Sequence, residues 1–365
     1  MKPCKILGLD IGGANTKAAL LKIQNEHIID SFPYIEYFPF WKKTINDIPK
    51  MLKRIVANVV KQNKYKLNEI DYISITITAE LSDAFQTKKE GIIIILDALS
   101  KVFDISKMFF ISNTNEFFGF NRANSESYAI AAANWVSTSL FLGNYIPKCI
   151  LIDAGSNTID IIPIANSVPV SYGKDDISRL MNHELIYTGG LRATIPSITH
   201  FVPYKGNKIR ISFEKFALIS DVHRILKNIT ENEYTNDTAD NRSKSLDNCY
   251  ARLARIICMD IETINREDLI LIAKFIYEKQ IEIISDEIEA FIEIHRAYIN
   301  EFENNPLFII TGLSAEFLIR KTLEKLGYNN IKTLEDITNI PDNISSSAFG
   351  VAGALYFQLN RKGSL

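Results

Sequence analysis

The chain contains the stretch Leu9-Asp10-Ile11-Gly12-Gly13-Ala14-Asn15-Thr16-Lys17 and, in its second half, the similar stretch Ile152-Asp153-Ala154-Gly155-Ser156-Asn157-Thr158. Each lies between two apolar runs, which predicts a strand, a tight polar turn and a second strand. Glycines let such a turn adopt positive φ and approach a ligand closely, while Asn, Thr and successive N–H groups form a concave anion site. Both turns are therefore predicted to bind phosphate, through Gly12, Gly13, Asn15, Thr16 and Lys17 in the first and Gly155, Ser156, Asn157 and Thr158 in the second.

A duplicated turn predicts two related domains, and 365 residues also exceed what one hydrophobic core usually serves. The two turns are expected to face each other across a cleft, where Asp10 and Asp153 would hold a divalent cation directly or through water. The predicted boundaries are 1–137 for the first domain, 138–345 for the second with a polar surface insertion near 228–248, and 346–365 for a C-terminal helix that returns to the first domain.

The composition excludes several classes of function. With 41 basic and 43 acidic residues the formal net charge is −2, so no overall field attracts nucleic acid or anionic lipid. The four cysteines and five histidines show neither disulfide nor metal-ligand spacing, as is typical of reduced thiols. No apolar stretch is long enough to span a bilayer, and the residues after Met1 lead directly into a strand. We expect a cytoplasmic protein that binds neither nucleic acid nor membrane, with homo-oligomerisation left open.

Strands and helices alternate along the predicted chain, which indicates an α/β fold. Two prolines favour an extended conformation for the segment 32–41. Strands are predicted at 72–78, 108–112 and 307–310, helices at 45–61, 90–103 and 265–302, and two helices of small residues at 127–137 and 346–357.

Three of these features together resemble the superfamily of acetate and sugar kinases, heat-shock ATPases and actin. They are the two phosphate turns, the strand–glycine–helix turn Thr311-Gly312-Leu313-Ser314 and the two small-residue helices. The resemblance implies two ribonuclease H-like domains with mixed central sheets flanking a cleft, and members of the superfamily bind adenosine at the turn that matches 311–314. A narrower resemblance, to hydantoinase/oxoprolinase-like and C1-transfer proteins of methanogens and methylotrophs, rests on both turns and on Thr76-Ile77-Thr78-Ala79-Glu80-Leu81-Ser82-Asp83-Ala84.

The narrower resemblance implies a transferase of methanofuran biosynthesis. Such an enzyme joins (5-aminomethyl-3-furyl)methyl diphosphate to γ-glutamyltyramine, which forms an aryl ether and releases pyrophosphate. Its turns would hold the diphosphate with Mg²⁺ where relatives hold the tail of ATP. Asp10 and Asp153 would then position the metal, and Lys17 would neutralise the leaving group. A phenol with an ordinary pKa of about 10 attacks efficiently only when a base removes its proton, and that base could be Glu80, Asp153, Glu116 or the diphosphate itself.

Other residues have both a functional and a structural interpretation. Tyr34, Tyr37, Phe38, Phe40 and Trp41 could keep water from the reacting carbon or could pack the core of their own domain. Arg192 could bind the γ-glutamyl carboxylate through its two-pronged guanidinium or could form a salt bridge within its domain. Lys17 could be a solvated strand residue, and Glu80 and Glu116 could cap helices. Gly312, Leu313 and Ser314 are predicted to bind part of the substrate.

Two other classes of function remain open at the level of sequence. An ATP-dependent small-molecule kinase or ATP-driven amidohydrolase has the same fold and would bind ATP at the same loops. A non-enzymatic actin-like or chaperone-like ATPase is the second alternative. Hydrolysis of ATP coupled to product formation would indicate the first class, and filaments formed on adding nucleotide would indicate the second.

Overall fold

The structure is a computed structural model that describes residues 3–63, 65–299, 305–340 and 346–363. In the first part of the chain it contains β1 (Cys4–Gly12), β2 (Asn15–Gln24), β3 (His27–Tyr37), α1 (Asp47–Asn63), β4 (Tyr72–Thr78), α2 (Lys88–Ser100), β5 (Met108–Ile111), β6 (Phe117–Gly119), α3 (Phe120–Ser125) and α4 (Asn134–Gly143).

The second part of the chain continues with short strands, one long helix and a C-terminal helix. Its elements are β7 (Cys149–Ala154), β8 (Ile159–Ala165), β9 (Val168–Pro169), α5 (Asp176–Met181), β10 (Leu185–Ile186), α6 (Ile195–Ile198), β11 (Phe201–Tyr204), β12 (Asn207–Arg210), α7 (Ile219–Ile225), α8 (Leu246–Arg255), α9 (Arg266–Ile299), β13 (Phe308–Thr311), α10 (Lys321–Lys325), β14 (Ile331–Thr333), α11 (Leu334–Thr338) and α12 (Ser346–Arg361).

The first six strands form one mixed sheet in the order β3-β2-β1-β4-β5-β6. Strand β1 is antiparallel to β2 and parallel to β4, and β5 continues in parallel beside β4. The register places Asp10 opposite Lys17 of β2 and Thr76 of β4. Because side chains at matching positions of adjacent strands lie on the same face of a sheet, these three residues share one face.

The second sheet repeats the strand order of the first. Its order is β10-β8-β7-β13-β14, with β9 paired to β8, so the hairpin strands β7 and β8 take the places that β1 and β2 take in the first sheet. This repetition confirms the prediction of two related α/β halves with mixed sheets, each with a polar hairpin turn. The expected cleft between the two turns stays a prediction.

Helix α12 covers one face of the first sheet. Ile6 and Ala19 on that face form a buried apolar cluster with Phe349 of the helix. The approach is so close that a Cβ atom on Gly8 would lie 2.0 Å from the backbone carbonyl oxygen of Ala348. Only glycine therefore permits this contact between β1 and α12.

The opposite face of the sheet packs against α1 and α2. Leu9 and Ile75 lie in one buried cluster with Met51 and Ile55 of α1 and Leu96 of α2. Because both faces are covered, most side chains of β1 are buried, which explains why this strand is almost continuously apolar in sequence.

Contacts between Cα atoms divide the chain into two compact units. Unit 1 comprises Met1–Leu151, Ile162–Arg179 and Thr333–Leu365, and unit 2 comprises Ile152–Ile161 and Leu180–Lys332. The first turn and α12 belong to unit 1, and the second turn belongs to unit 2. Residues 138–151, 162–179 and 333–340 group with unit 1, although the sequence boundaries assign them to the second domain. As limits of the two related domains, those boundaries stay a prediction.

The prediction of a single helix over 127–137 is wrong. Ser127–Ile130 is a short 3₁₀ turn, Ala132 has a φ of 47°, and α4 begins only at Asn134. The cause is a contact distant in sequence, because the N–H of Ala132 donates to the carbonyl of Ile77 (2.9 Å) at the end of β4. A backbone that bonds to the sheet in this way cannot continue as a helix.

The expected surface position of the polar segment 228–248 is also wrong in part, because Ile229, Tyr234 and Thr238 are buried. Tyr234 is fully buried in the core of unit 2, where its hydroxyl donates to Asp221 (3.0 Å). The same carboxylate pairs with the buried Arg252 at 2.7 Å, and Asp240 binds Arg252 from within the polar segment. Part of this segment therefore completes a buried polar network.

The long helix α9 begins where its cap was predicted. The N–H of Asp268 donates to the side-chain oxygen of Asn265 at 2.8 Å, which satisfies one free donor at the helix N-terminus. The predicted end of this helix, at residue 302, lies outside the described residues. Among the helices that the structure describes, none is both long and apolar enough to cross a bilayer.

Candidate active site

The first polar turn joins β1 to β2, and its carbonyl groups are bound by the chain itself. The N–H of Phe40 donates to the carbonyl of Gly13 (3.0 Å), and the N–H of Phe38 donates to the carbonyl of Ala14 (2.9 Å). In a planar trans peptide the C=O and the following N–H point in opposite directions. The N–H groups of Ala14 and Asn15 are therefore directed away from residues 38–40, as a concave anion site requires.

Asp10 lies at the end of β1 in a nearly buried polar cluster. Its Oδ2 accepts a hydrogen bond from the Ser347 hydroxyl at 2.5 Å and lies 3.8 Å from the Lys17 ammonium. Its Oδ1 accepts from the Thr78 hydroxyl at 3.3 Å. Lys17 also reaches the Ser347 hydroxyl at 3.5 Å. The sheet register and the start of α12 thus bring the predicted residues Asp10 and Lys17 together. Two residues that were not predicted, Thr78 and Ser347, join them.

Buried polar atoms without a hydrogen-bond partner lie on both faces of the first sheet, within the described part of the chain. The Thr16 hydroxyl lies on the face away from Asp10, because Thr16 stands opposite Ile11 in the register. On the face that carries Asp10, the unpartnered atoms include the side-chain oxygen of Asn15 and the hydroxyl of the essentially inaccessible Thr76. A buried hydroxyl without a partner loses its bonds to water and gains none in return, which is costly unless a ligand or water binds it. The unpartnered atoms on this face therefore support a polar ligand beside Asp10.

Glu80 follows β4 directly and is almost fully buried, with its Oε2 unpartnered among the described residues. Burial is the main cause that raises the pKa of this carboxyl to about 7, and the Asp176 and Asp10 carboxylates act in the same direction, whereas a backbone hydrogen bond and the Lys88 ammonium lower it. Lys88 itself is held by Asp176 at 2.8 Å. Glu80 therefore exchanges a proton near neutral pH, which suits a general acid or base.

The second turn repeats the arrangement of the first. The carbonyls of Gly155, Ser156 and Asn157 accept from the N–H groups of Gly190 (3.0 Å), Leu191 (2.9 Å) and Gly189 (2.9 Å) respectively. By the same peptide geometry, the N–H groups of Ser156, Asn157 and Thr158 are directed away from residues 189–191. Three successive donors with this direction have the arrangement of an anion site, and phosphate binding by this turn stays a prediction.

The glycines of the turns do not act as predicted. Gly12, Gly13 and Gly155 do not have positive φ, so that part of the prediction is wrong. Gly12 is instead required by close packing, because a Cβ atom there would lie 2.7 Å from the carbonyl oxygen of Asn15. Gly312 does have positive φ, at 95°, and a Cβ there would lie 2.4 Å from the carbonyl oxygen of Ala154.

The turn at 311–314 forms hydrogen bonds to the backbone of the second hairpin. The Ser314 hydroxyl is buried and donates to the carbonyls of Ala154 (3.0 Å) and Gly155 (3.2 Å). Leu313 packs against the apolar core of unit 2. The predicted substrate-binding role of Gly312, Leu313 and Ser314 stays a prediction, and the contacts show that this turn holds the strand end that carries Asp153.

The remaining predicted residues are distributed around the two units. The backbone N–H of Arg192 donates to the carbonyl of Ser156 at 3.1 Å, which places this residue beside the second turn. Glu116 is more than half exposed and pairs with Arg122 at 3.0 Å. Phe38 and Phe40 belong to the core of unit 1, so the structural interpretation holds for them, whereas Tyr37 and Trp41 are exposed.

Two residues of the Asp10 cluster were missed in the sequence. Thr78 stands opposite Gly12 in the parallel pairing of β1 with β4, and the alternation Ser74, Thr76, Thr78 along β4 was a signal for a polar face. Ser347 approaches Asp10 only because α12 packs across the sheet, and no local pattern predicts that contact.

The donor set near Asp10 fits a magnesium ion that is shared with phosphate. Within the described residues there is no group of three or more His, Cys, Asp or Glu side chains that could hold a metal alone. Mg²⁺ usually keeps several waters and binds one or two carboxylates together with substrate phosphates, so such a group is not required. Asp10, whose carboxylate accepts from the Ser347 and Thr78 hydroxyls and shares its face with the unpartnered Thr76 hydroxyl, has the chemistry for this kind of site.

Comparison with known proteins shows which family the chain belongs to. The hydantoinase/oxoprolinase family matches residues 71–358. The (4-{4-[2-(γ-L-glutamylamino)ethyl]phenoxymethyl}furan-2-yl)methanamine synthase of Methanocaldococcus jannaschii is 34% identical over 357 residues, which cover 98% of this chain and 99% of that protein. The synthase of the same name from Methanococcus vannielii is 31% identical over 225 residues, which cover 61% of this chain and 97% of that protein.

Among solved structures, the nucleotide-free structure of acetone carboxylase matches 96% of this chain and 70% of its own, with a TM-score of 0.51 and 10% sequence identity. At that identity the likeness concerns the fold alone. The near full-length identity to the Methanocaldococcus jannaschii protein, by contrast, confirms the narrower of the two resemblances found in the sequence. The chain belongs to the hydantoinase/oxoprolinase family and, within it, to the (4-{4-[2-(γ-L-glutamylamino)ethyl]phenoxymethyl}furan-2-yl)methanamine synthases.

Proposed function

We propose that this chain transfers a furylmethyl group from (5-aminomethyl-3-furyl)methyl diphosphate to the phenol oxygen of γ-glutamyltyramine. The observation that carries the proposal is the 34% identity to the Methanocaldococcus jannaschii synthase over 98% of this chain. The product named for that relative contains a phenoxymethyl link between a furan and a ring with a γ-glutamylaminoethyl group. That ether is what the transfer would form.

At the furylmethyl carbon the reaction makes one bond and breaks one, and one proton is transferred. The phenol oxygen forms a bond to the furylmethyl carbon, and the bond between that carbon and the diphosphate oxygen breaks. The diphosphate leaves with the electron pair, and the phenol proton passes to a base. The furan ring delocalises the positive charge that develops on the carbon, so the main task of the protein is to stabilise the leaving group.

The two turns and Lys17 have the groups for that task. The N–H groups of Ala14 and Asn15 in one turn, and of Ser156 to Thr158 in the other, would donate to diphosphate oxygens as their negative charge grows. Lys17 lies within 3.8 Å of Asp10, so its ammonium is held at the edge of the same site. When bound, Mg²⁺ would neutralise further charge on the diphosphate, and Asp10 and Asp153 are the residues proposed to hold it.

Glu80 is the base that the contacts favour. Its Oε2 is buried and unpartnered in the described chain, and its carboxyl has a pKa of about 7. Glu116, in contrast, is exposed and bound to an arginine. A carboxylate with a pKa near the working pH accepts a proton from the phenol more readily than an ordinary glutamate does.

We expect Glu80→Gln to lower kcat/KM by about 10²-fold or more and to abolish the rise of the rate with pH near 7. The same variant should be more stable than the wild type at pH 8. In the wild type, burial raises the pKa from 4.5 to about 7, so the free energy of unfolding falls relative to the variant as pH rises through that range. The shift corresponds to about 3 kcal/mol. Urea unfolding and initial rates at several pH values measure both effects.

Glu116→Gln is the matched control for this prediction, because its carboxylate is exposed and should affect neither the pH–rate profile nor the stability by much. A Glu80→Gln variant with a wild-type pH–rate profile would exclude Glu80 as the base and would favour Asp153 or the diphosphate.

Arg192 is proposed to bind the γ-glutamyl carboxylate, because its backbone is fixed beside the second turn. The exposed Tyr37 and Trp41 are candidates to contact the aromatic substrates. A cytoplasmic location is also part of the proposal and is supported by four cysteines that are all free thiols. Homo-oligomerisation stays open.

The proposed function is tested by incubating the protein with Mg²⁺, the furylmethyl diphosphate and γ-glutamyltyramine. We expect ether and pyrophosphate in equal amounts, measured by mass spectrometry and a pyrophosphate assay. A tyramine derivative methylated at the phenol oxygen is the matched control and should give neither product. Release of ADP or phosphate from ATP without an ether would replace the proposal with a kinase or amidohydrolase, and filaments seen by light scattering would indicate an actin-like ATPase.

A further inference from the structure

Gln280 of helix α9 is fully buried directly behind the second turn. Its side-chain Nε2 group donates to the carbonyl oxygens of Thr188 (3.2 Å) and Gly189 (3.2 Å) and to the Thr188 hydroxyl (3.1 Å). Gly189 in turn donates its N–H to the carbonyl of Asn157 in the turn. Only one backbone segment therefore separates the Gln280 amide from the proposed phosphate donors.

The orientation of this amide is determined by its partners. Backbone carbonyls can only accept, so the NH₂ group of Gln280 must face the carbonyls of Thr188 and Gly189. The Oε1 atom of Gln280 therefore faces His223 and lies 3.0 Å from the Nε2 atom of that histidine. His223 Nε2 then carries the proton, and its Nδ1 accepts from the amide of Asn228 at 3.1 Å. Asn228 therefore donates to His223, His223 donates to Gln280, and Gln280 donates to the backbone segment beside the turn.

His223 stays neutral in this arrangement. It is completely buried, and burial lowers the pKa of its imidazole to about 3. A proton on Nδ1 would also meet the NH₂ group of Asn228, which is a donor. The direction of the hydrogen bonds is therefore the same across the physiological range of pH.

A movement of residue 189 must be transmitted to the turn. A Cβ atom on Gly189 would lie 2.7 Å from the backbone nitrogen of Asn157 and 2.7 Å from the carbonyl oxygen of Gly155. The two segments thus touch with no intervening side chain. If the Gln280 amide were lost, the carbonyls of Thr188 and Gly189 would lose this buried donor and would move to find others.

We propose that Gln280, supported by His223, is a positioning residue that fixes the N–H groups of Ser156, Asn157 and Thr158 for diphosphate binding. Gln280 does not touch the substrate in this account and acts through Gly189. The inference rests on the proposed function, because it assigns the diphosphate to the second turn. It predicts that changes at Gln280 affect the diphosphate substrate and not the phenol.

The test compares Gln280→Met, which keeps the length of the side chain and removes the amide, with the wild type. We expect the Kd for pyrophosphate, measured by calorimetry, and the KM for the furylmethyl diphosphate to rise by about tenfold or more, because small displacements of positioned groups have effects of this order. The KM for γ-glutamyltyramine should change less than about twofold. His223→Gln keeps a donor toward Oε1 and should restore most of the affinity relative to His223→Leu.

Ser285→Ala is the matched control on the same helix, because its buried hydroxyl donates only within α9, to the carbonyl of Ile281 at 2.8 Å. It should leave both KM values unchanged. A Gln280→Met variant with a lower Tm and an unchanged Kd for pyrophosphate would overturn the inference, since the role of Gln280 would then be structural only. If that variant does not fold, an unchanged Kd in His223→Leu would overturn it equally. Wild-type protein that forms no ether and binds no pyrophosphate would instead overturn the proposed function itself.

Discussion

Asp10→Asn is expected to lower kcat/KM for ether formation by about 10²- to 10³-fold while the fold is retained. Asn has the same shape as Asp, so the hairpin and the contact with α12 should survive. The change removes the negative charge that faces Lys17 at 3.8 Å, and it places an amide where carboxylate oxygens accept from Ser347 and Thr78. It also replaces one carboxylate oxygen, at the residue proposed to hold magnesium, with an NH₂ group. Initial rates over a range of Mg²⁺ concentrations, with the ether quantified by mass spectrometry, measure the loss.

Asp30→Asn is the matched control for the Asp10 variant. Asp30 is an exposed residue of the edge strand β3, opposite Lys22, and lies outside the polar cluster. We expect wild-type rates from this control. An Asp10→Asn variant that retained both the rate and the Mg²⁺ dependence of the wild type would refute the assigned role of Asp10.

Gly8→Ala is expected to have the largest effect on stability. The added Cβ would lie 2.0 Å from the carbonyl oxygen of Ala348 and 3.0 Å from the Cβ of Ala352, so α12 would have to move away from β1. Overpacking of this kind costs about 3 kcal/mol or more when the obstacle is backbone. The movement would also withdraw Ser347 from Asp10, so activity should fall together with stability. Urea unfolding gives the first quantity, and the ether assay gives the second.

Gly119→Ala is the control for this substitution. Gly119 lies in the same sheet with a φ of −70°, and a Cβ there would meet nothing within 4 Å. The change should leave activity intact and raise the free energy of unfolding by up to about 1 kcal/mol, because alanine restricts the unfolded chain more than glycine does. Equal losses of stability in both variants would show that α12 does not pack on β1 as described.

The sequence was informative wherever structure depends on neighbouring residues. The strand–turn–strand pattern at both turns, strand 72–78 and the Asn265 cap were all predicted, because local alternation and capping determine them. The break after Ile130 was not, since an alanine-rich stretch favours helix and only a bond to Ile77 overrides it. Tyr234 was likewise missed, because its partner Asp221 is brought to it by the fold of unit 2.

In the candidate site, too, features set by neighbouring residues could be predicted, whereas features set by contacts distant in sequence could not. Asp10, Lys17 and Glu80 could be found because they follow strands or turns in recognisable order. The raised pKa of Glu80 could not be predicted, because it depends on burial that no linear pattern shows. Ser347 was missed for the same reason, since its contact with Asp10 joins residues far apart in the chain. Gln280 gave no signal at all, because a glutamine within a long helix is ordinarily solvated.

The packing of α12 on β1 has a consequence for how the protein is made. Strand β1 leaves the ribosome well before α12, the helix that covers one of its faces, because the two lie at opposite ends of the element order. Until then, the apolar side chains of Ile6 and Ala19 lack their native cover. Nascent chains of this enzyme should therefore require chaperones until α12 has emerged, and a ribosome stalled before residue 346 should carry an aggregation-prone first sheet.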